Sequence, residues 1–150
     1  MNITGMVHVN INCSNFAVSQ AFYEMLGFEV FWAVPATNTP EVAAAVGMPP
    51  YRVKGALLRL KNSAAVVIDL LEWQDPTDNS PPYQHLYHLG LARLALQTSD
   101  MDADYAFLQQ QGVHIVSPPA TVSLDGGKHG SRFFCFQDPD GTYLELVQSF

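Results

Sequence analysis

The chain switches between two hydrophobic periodicities, and the points of switching outline its elements. Residues 6–12 alternate strictly, with Val7, Val9 and Ile11 on one side and His8, Asn10 and Asn12 on the other, as in a half-buried strand. Asn15 stands where a helix N-cap is wanted. Residues 16–26 follow with Val18, Ala21, Phe22 and Met25 near helical spacing, and Gly27 suits the C-cap. Phe28–Val34 returns to strand character. In the piece PATNTPEVAAAVGMPP, residues 35–50, Thr39 can cap and Pro40 fits the first helical position, so 40–46 reads as a short helix. Arg52–Leu60 and 64–72 are two further strands joined across Lys61-Asn62-Ser63.

The same succession then recurs. Displaced by 85 residues, Ser14 falls on Ser99, Asn15 on Asp100, Ala21 on Ala106, Phe22 on Phe107, Gly27 on Gly112 and Val30 on Ile115. Displaced by 76, VIDLLE at 67–72 falls on YLELVQ at 143–148. The second copy reads as a strand over 91–98 and a helix over 101–111, capped by Asp100 and closed by Gly112. A strand over 113–117, a glycine-rich loop over 124–131 and a hairpin of 132–137 with 142–148 complete it. Asp138-Pro139-Asp140-Gly141 joins the hairpin with turn chemistry and lacks the ligand spacing of an EF-hand. The polar, proline-bearing run within 74–90 is a linker. The expectation is one domain over residues 1–150, α+β in class. It consists of two βαβββ modules, about 6–73 and 91–148, with helices outside and curled mixed sheets around a central cavity.

Composition narrows the functions. The chain has 150 residues, enough for one core, and folding would bury roughly 70% of its unfolded surface. Only 14% of residues are charged and the net charge is −7, which gives no footprint for nucleic acid or an anionic membrane. Cys13 and Cys135 have no CxxC spacing and read as unbonded thiols of a reducing compartment. The amino end has no basic, apolar leader pattern, and no apolar run reaches the length needed to span a bilayer, so a cytoplasmic protein is expected.

Equivalent positions of two such copies face each other across a pseudo-two-fold axis. His8 matches Arg93 and Asp69 matches Glu145, so four polar side chains are expected to converge. A carboxylate set between apolar neighbours is costly unless it is paired or bound to a cation. His8, Asp69 and Glu145 therefore form a reasonable ligand set for Zn²⁺, Mn²⁺, Ni²⁺ or Fe²⁺.

The combination V-H-V, A-F-Y-x-x-x-L-G-F, V-I-D-L-L-E and F-x-D-P-D-G-x-x-x-E-L resembles the vicinal oxygen chelate superfamily. That group includes glyoxalases, bleomycin- and fosfomycin-resistance proteins, extradiol dioxygenases and methylmalonyl-CoA epimerases. The resemblance covers both copies, apart from 35–50 and the linker. It implies a small-molecule ligand, a homodimer and, in metal-bearing members, ligands on the first and last strand of each copy: His8, Asp69, residue 93 and Glu145. Position 93 departs from that pattern. Metal-bearing relatives generally carry histidine there, whereas arginine cannot become a ligand.

Two readings of Arg93 follow. In one it pairs with Glu145 or Asp69 and no metal binds. In the other it turns to a bound anion while His8, Asp69 and Glu145 hold one divalent ion. A register with Glu72 in place of Asp69 is a further alternative. The functional expectation is a lyase, isomerase or epimerase acting on a small oxygen-bearing or carboxylate substrate. Glu145 and Arg93 would be catalytic, and Arg93, Phe133 and His129 substrate-binding. The alternative is a metal-free binding or drug-resistance protein that sequesters its ligand. His85, His88 and His114 read as rim or surface residues, and 35–50 as a cover for the cavity mouth.

Overall fold

The computed structural model describes residues 1–36, 39–63 and 67–150. The chain divides into two compact units, Met1–Ser80 and Pro81–Phe150. The first contains β1 (His8–Asn12), α1 (Phe16–Met25), β2 (Phe28–Val34), α2 (Pro40–Ala45), β3 (Arg52–Leu60) and β4 (Val67–Asp75). The second contains β5 (Leu94–Gln97), α3 (Met101–Gln110), β6 (Ala120–Leu124), β7 (His129–Gln137) and β8 (Tyr143–Ser149). Each unit is thus a βαβββ module, and the class is α+β. Within the piece 35–50, residues 37 and 38 lie outside the described residues, as do 64–66 at the expected start of the fourth strand.

The sheets share one topology. Their orders are β1-β4-β3-β2 and β5-β8-β7-β6; the first and last strands of each module run parallel, and the other neighbours antiparallel. The repeat extends to single bonds. Cys13 N–H donates to the Leu71 carbonyl at 2.8 Å, and Thr98 N–H to that of Val147 at 2.9 Å. Asn15 and Asp100 cap their helices through the amides of Val18 and Ala103. The first helical amide is taken by the last strand in both copies. Phe16 N–H donates to Glu72 at 2.7 Å, and Met101 N–H to Gln148 at 3.4 Å.

These bonds satisfy helix-end donors that have no partner within the helix. Hydrogen bonds to charged groups contribute more than neutral ones. Glu72→Ala is expected to cost about 1.5–3 kcal/mol and Gln148→Ala about 0.5–1.5 kcal/mol, read from urea midpoints. Equal costs would count against the charge-assisted reading of the first bond.

The structure corrects three sequence expectations. In α1 the buried face is Phe16, Ser19 and Tyr23, whereas Val18 is 52% exposed and Ala21 lies outside as well. The helix has apolar residues around most of its circumference. Packing selects the side on which Tyr23 meets Phe28 edge-on at 5.9 Å and Phe16 meets Glu72. The strand expected over 113–117 is reduced to a bridge between Ile115 and Phe136, and pairing resumes only at β6. Pro118 and Pro119 interrupt this edge because neither carries a donor, and sheet edges are where proline is tolerated. The glycine-rich loop expected over 124–131 is shorter. Leu124 ends β6, Asp125–Gly127 makes one 3₁₀ turn, and His129 already pairs with Leu124. Asp125, Gly126 and Gly127 all have positive φ, which reverses the chain within that turn.

The core of each module lies between helix and sheet. In the first it includes Tyr23, Leu58, Ile68 and Leu70; in the second Met101, Leu108, Phe134, Phe136 and Leu144. Alternation along β4 and β8 then puts Asp69 and Glu145 on the sheet faces turned away from the helices.

Candidate functional site

The face of the first module opposite α1 carries His8, Asn10 and Asn12 from β1 and Asp69, Leu71 and Trp73 from β4. Trp32, Leu57, Asp69 and Asn10 form one row across the four strands. The Asn10 amide holds the Asp69 backbone carbonyl at 2.9 Å, and the Trp73 indole donates to Asn12 at 2.9 Å. His8 Nε2 lies 4.0 Å from Asp69 Oδ2, and the Asp69 side chain is 18% exposed. Its other oxygen, Oδ1, is buried with no hydrogen-bond partner among the described residues. Burial pushes the Asp69 carboxyl above its ordinary value, and the His8 imidazole offsets part of that rise.

The direction of that shift has a measurable sign. An acid whose pKa rises on folding binds its proton more tightly in the folded chain. Its contribution therefore lowers stability as pH climbs above the ordinary Asp value of 3.8. Asp69→Asn removes this penalty. The variant is expected to match the parent in stability under acid conditions and to exceed it at neutral pH, in urea midpoints taken at both. A variant less stable than the parent at neutral pH alone would reverse the inferred sign.

In the second module the corresponding face carries Arg93 and Ala95, Tyr143, Glu145 and Val147, and Phe133 and Cys135 of β7. Glu145 is 8% exposed. Its Oε2 meets Arg93 Nε at 2.5 Å, and the Cys135 thiol donates to the same oxygen at 3.7 Å. Burial raises the Cys135 pKa, the adjacent Glu145 charge raises it further, and Arg93 works against both. The thiol is thus held in its protonated, weakly nucleophilic form. Cys13 and Cys135 are both free and buried.

The repeat thus builds one arrangement twice. A basic side chain, His8 at the start of β1 and Arg93 just ahead of β5, reaches diagonally to a carboxylate on the last strand. Asp69 stands two residues beyond Val67, the partner of His8; Glu145 stands two beyond Tyr143, the residue preceding the partner of Leu94. Glu72 is absent from this arrangement, because it faces α1 and accepts the Phe16 amide. Phe133 is half-buried and two residues from Cys135, on the same face as Glu145. His129 shares that face but lies exposed at the start of β7, about 20 Å along the strand from Cys135 at ordinary strand rise. His85 stacks on Tyr87 and His88 on Tyr83, and His114 is exposed.

Within the first module, His8 and Asp69 offer two donors toward a metal ion, including the orphaned Oδ1. Within the second, Glu145 is already engaged by a fixed positive charge, which would repel a cation. Among the described residues, no three His, Cys, Asp or Glu side chains gather closely enough to hold a metal ion. The residues within each module do not fit a divalent metal centre. The alternation along 143–147 already puts Tyr143 and Val147 on one face with Glu145, whereas nothing in the sequence singles out Cys135 as its neighbour. Alternation on β7 and β8 carried the signal, once the register was known.

The sequence matches the Glyoxalase/Bleomycin resistance protein/Dioxygenase superfamily over residues 5–146, and the chain belongs to that superfamily. Among solved structures, a glyoxalase family protein from Bacillus cereus is 18% identical with a TM-score of 0.82, covering 100% of this chain and 97% of the other. A glyoxalase family protein from Enterococcus faecalis is 28% identical, with a TM-score of 0.67 and coverage of 98% and 99%. An antibiotic-binding protein from a Streptomyces species is 25% identical, with a TM-score of 0.66 and coverage of 100% and 99%. No curated protein matches the chain. Among the described residues, no helix is long and apolar enough to cross a membrane.

Proposed function

We propose that this protein binds a small oxygen-bearing organic molecule, a carboxylate or one with adjacent oxygens, without a metal ion. Arg93 is the anchor and Phe133 an apolar contact. The observation that carries this reading is the Arg93–Glu145 pair. Arg93 commits Nε to Glu145, and its terminal nitrogens have no partner among the described residues. That leaves an edge of donors suited to two oxygens held side by side. A ligand oxygen would thus meet a guanidinium at the position where metal-bearing relatives place a histidine ligand. The likeness to an antibiotic-binding protein supports sequestration as the biological use.

Calorimetric titration with a panel of 2-oxo acids, 2-hydroxy acids and aromatic carboxylates tests the reading. Saturable binding by carboxylate-bearing members is expected, weakened about 10- to 100-fold in Arg93→Ala, in keeping with one charged hydrogen-bonding anchor. Binding confined to uncharged aromatics and indifferent to Arg93→Ala would sink it. The homodimer is part of the same proposal, and light scattering on the eluting protein would check it.

A second reading is favoured by Asp69 alone. A carboxylate with a raised pKa, one unpartnered oxygen and an imidazole 4.0 Å away has the attributes of a general base. It would serve lyase, isomerase or epimerase chemistry beginning with abstraction of a proton next to a carbonyl. Deuterium incorporation from D₂O into a bound 2-oxo acid, abolished in Asp69→Asn, would establish that activity. Incorporation unaffected by the substitution would remove Asp69 from the role.

A further inference from the structure

Arg93 has an unusual footing for an anchoring residue. It precedes β5, whose ladder with β8 begins at Leu94, so strand pairing does not fix its backbone. Yet its side chain must reach diagonally to a nearly buried carboxylate. The chain leading into it, which its prolines and polarity mark as irregular linker, is organised by specific contacts. Tyr83 stacks on His88 with ring centroids 4.4 Å apart and planes 11° from parallel, and His85 stacks on Tyr87 at 4.9 Å and 8°. His88 N–H donates to the His85 carbonyl at 3.0 Å. Gly90 has φ +107°, and the Tyr83 hydroxyl lies 3.0 Å from where a Cβ would stand on it. The Tyr143 hydroxyl of β8 donates to the Gln84 carbonyl at 3.0 Å. Tyr143 shares a face with Glu145 and is two residues from it.

We propose that residues 83–90 form a strap, latched by Tyr143 and turned by Gly90, that positions Arg93 for its pairing with Glu145. One end of the strap is tied to the strand that carries Glu145. The other ends three residues before Arg93, so the strap holds the two partners of the pair to a common frame. Tyr143 and Gly90 act through Arg93 and are positioning residues. This inference rests on the proposed function only in giving the pair a purpose, because the pairing can be read without a ligand.

The test is the Arg93 Nε–H resonance in the intact protein, assigned by its loss in Arg93→Lys. Glu145→Gln provides the unpaired reference. In the parent the resonance should be displaced from the position of free arginine and protected from exchange with water. Tyr143→Phe removes only a hydroxyl. It is expected to move the resonance toward the Glu145→Gln position and to speed its exchange about tenfold or more, with the Leu144 and Leu146 amides unchanged. Gly90→Ala, strained at positive φ and crowding Tyr83, should have the same effect by an independent route. If both variants speed amide exchange across 83–90 but leave the Arg93 resonance in place, the strap is only a well-ordered loop and the proposal is overturned. Failure of either variant to disturb the strap or the resonance would overturn it equally. Neither failure would bear on carboxylate binding, which the Arg93→Ala titration measures separately.

Discussion

Arg93→Ala is expected to destabilise the chain by about 2–4 kcal/mol, a large effect for a residue whose own side chain is 42% exposed. The cost arises at Glu145 rather than at Arg93. With the guanidinium gone, a carboxylate that is 8% exposed keeps, among the described residues, only the Cys135 thiol as a weak donor. Breaking a buried pair by removing one partner usually costs about 3–5 kcal/mol, and the solvent reach of Arg93 places this pair somewhat lower. Arg93→Ala/Glu145→Gln removes the stranded charge as well, and should recover most of the loss. Urea unfolding of the parent, both single variants and the double variant gives the coupling directly. A double variant as unstable as the sum of the two single variants would mean that the two residues do not interact in solution.

Phe134→Ala should cost about 3–5 kcal/mol, because its ring is 1% exposed and lies between Tyr105, edge-on at 5.2 Å, and Phe136 at 5.9 Å. The adjacent Phe133 points to the opposite face of β7 and is half-buried. Phe133→Ala should cost only about 1–2 kcal/mol, in proportion to the smaller area it withdraws from water. Its larger effect should be on ligand affinity. The pair of variants separates the two faces of the strand: one residue holds the module together, and its neighbour lies on the face that carries Glu145. Equal destabilisation by both would contradict the assignment of faces.

Much of this was legible in the residues. The displacement of 85 between His8 and Arg93, and of 76 between Asp69 and Glu145, anticipated two modules in which first and last strands carry the polar pair. Asn15, Thr39 and Asp100 announced their helices by capping chemistry that acts within a few residues, and each accepts the amide three positions on. The tetrapeptide at 138–141 was equally local. The Asp138 carboxylate accepts the amides of Asp140 and Thr142, and Gly141 takes the positive φ.

What escaped depends on partners remote in sequence. The apolar residues of α1 permit two inward faces, and only contact with Phe28 and Glu72 distinguishes them. His129 carries no signal of how far along β7 it lies, because that depends on a tight turn at 125–127. The run 83–90 looks structureless because ring stacking and a bond to Tyr143, nearly sixty residues away, have no sequence period. The identity of the side chain at position 93 was plain from the start. That its Nε meets Glu145 depends on how the chain ahead of β5 is laid against β8, which no local pattern announces.

In the function proposed above, Arg93 takes the role of a cation beside Glu145. Calorimetric titration of metal-stripped, untagged protein with Zn²⁺, Mn²⁺, Ni²⁺ and anaerobic Fe²⁺, repeated on Glu145→Ala, tests it most directly. The expected result is no saturable binding in the micromolar range for any ion, with the two proteins indistinguishable. Stoichiometric micromolar or tighter binding that Glu145→Ala abolishes would contradict the claim and return Glu145 to the ligands of a metal site.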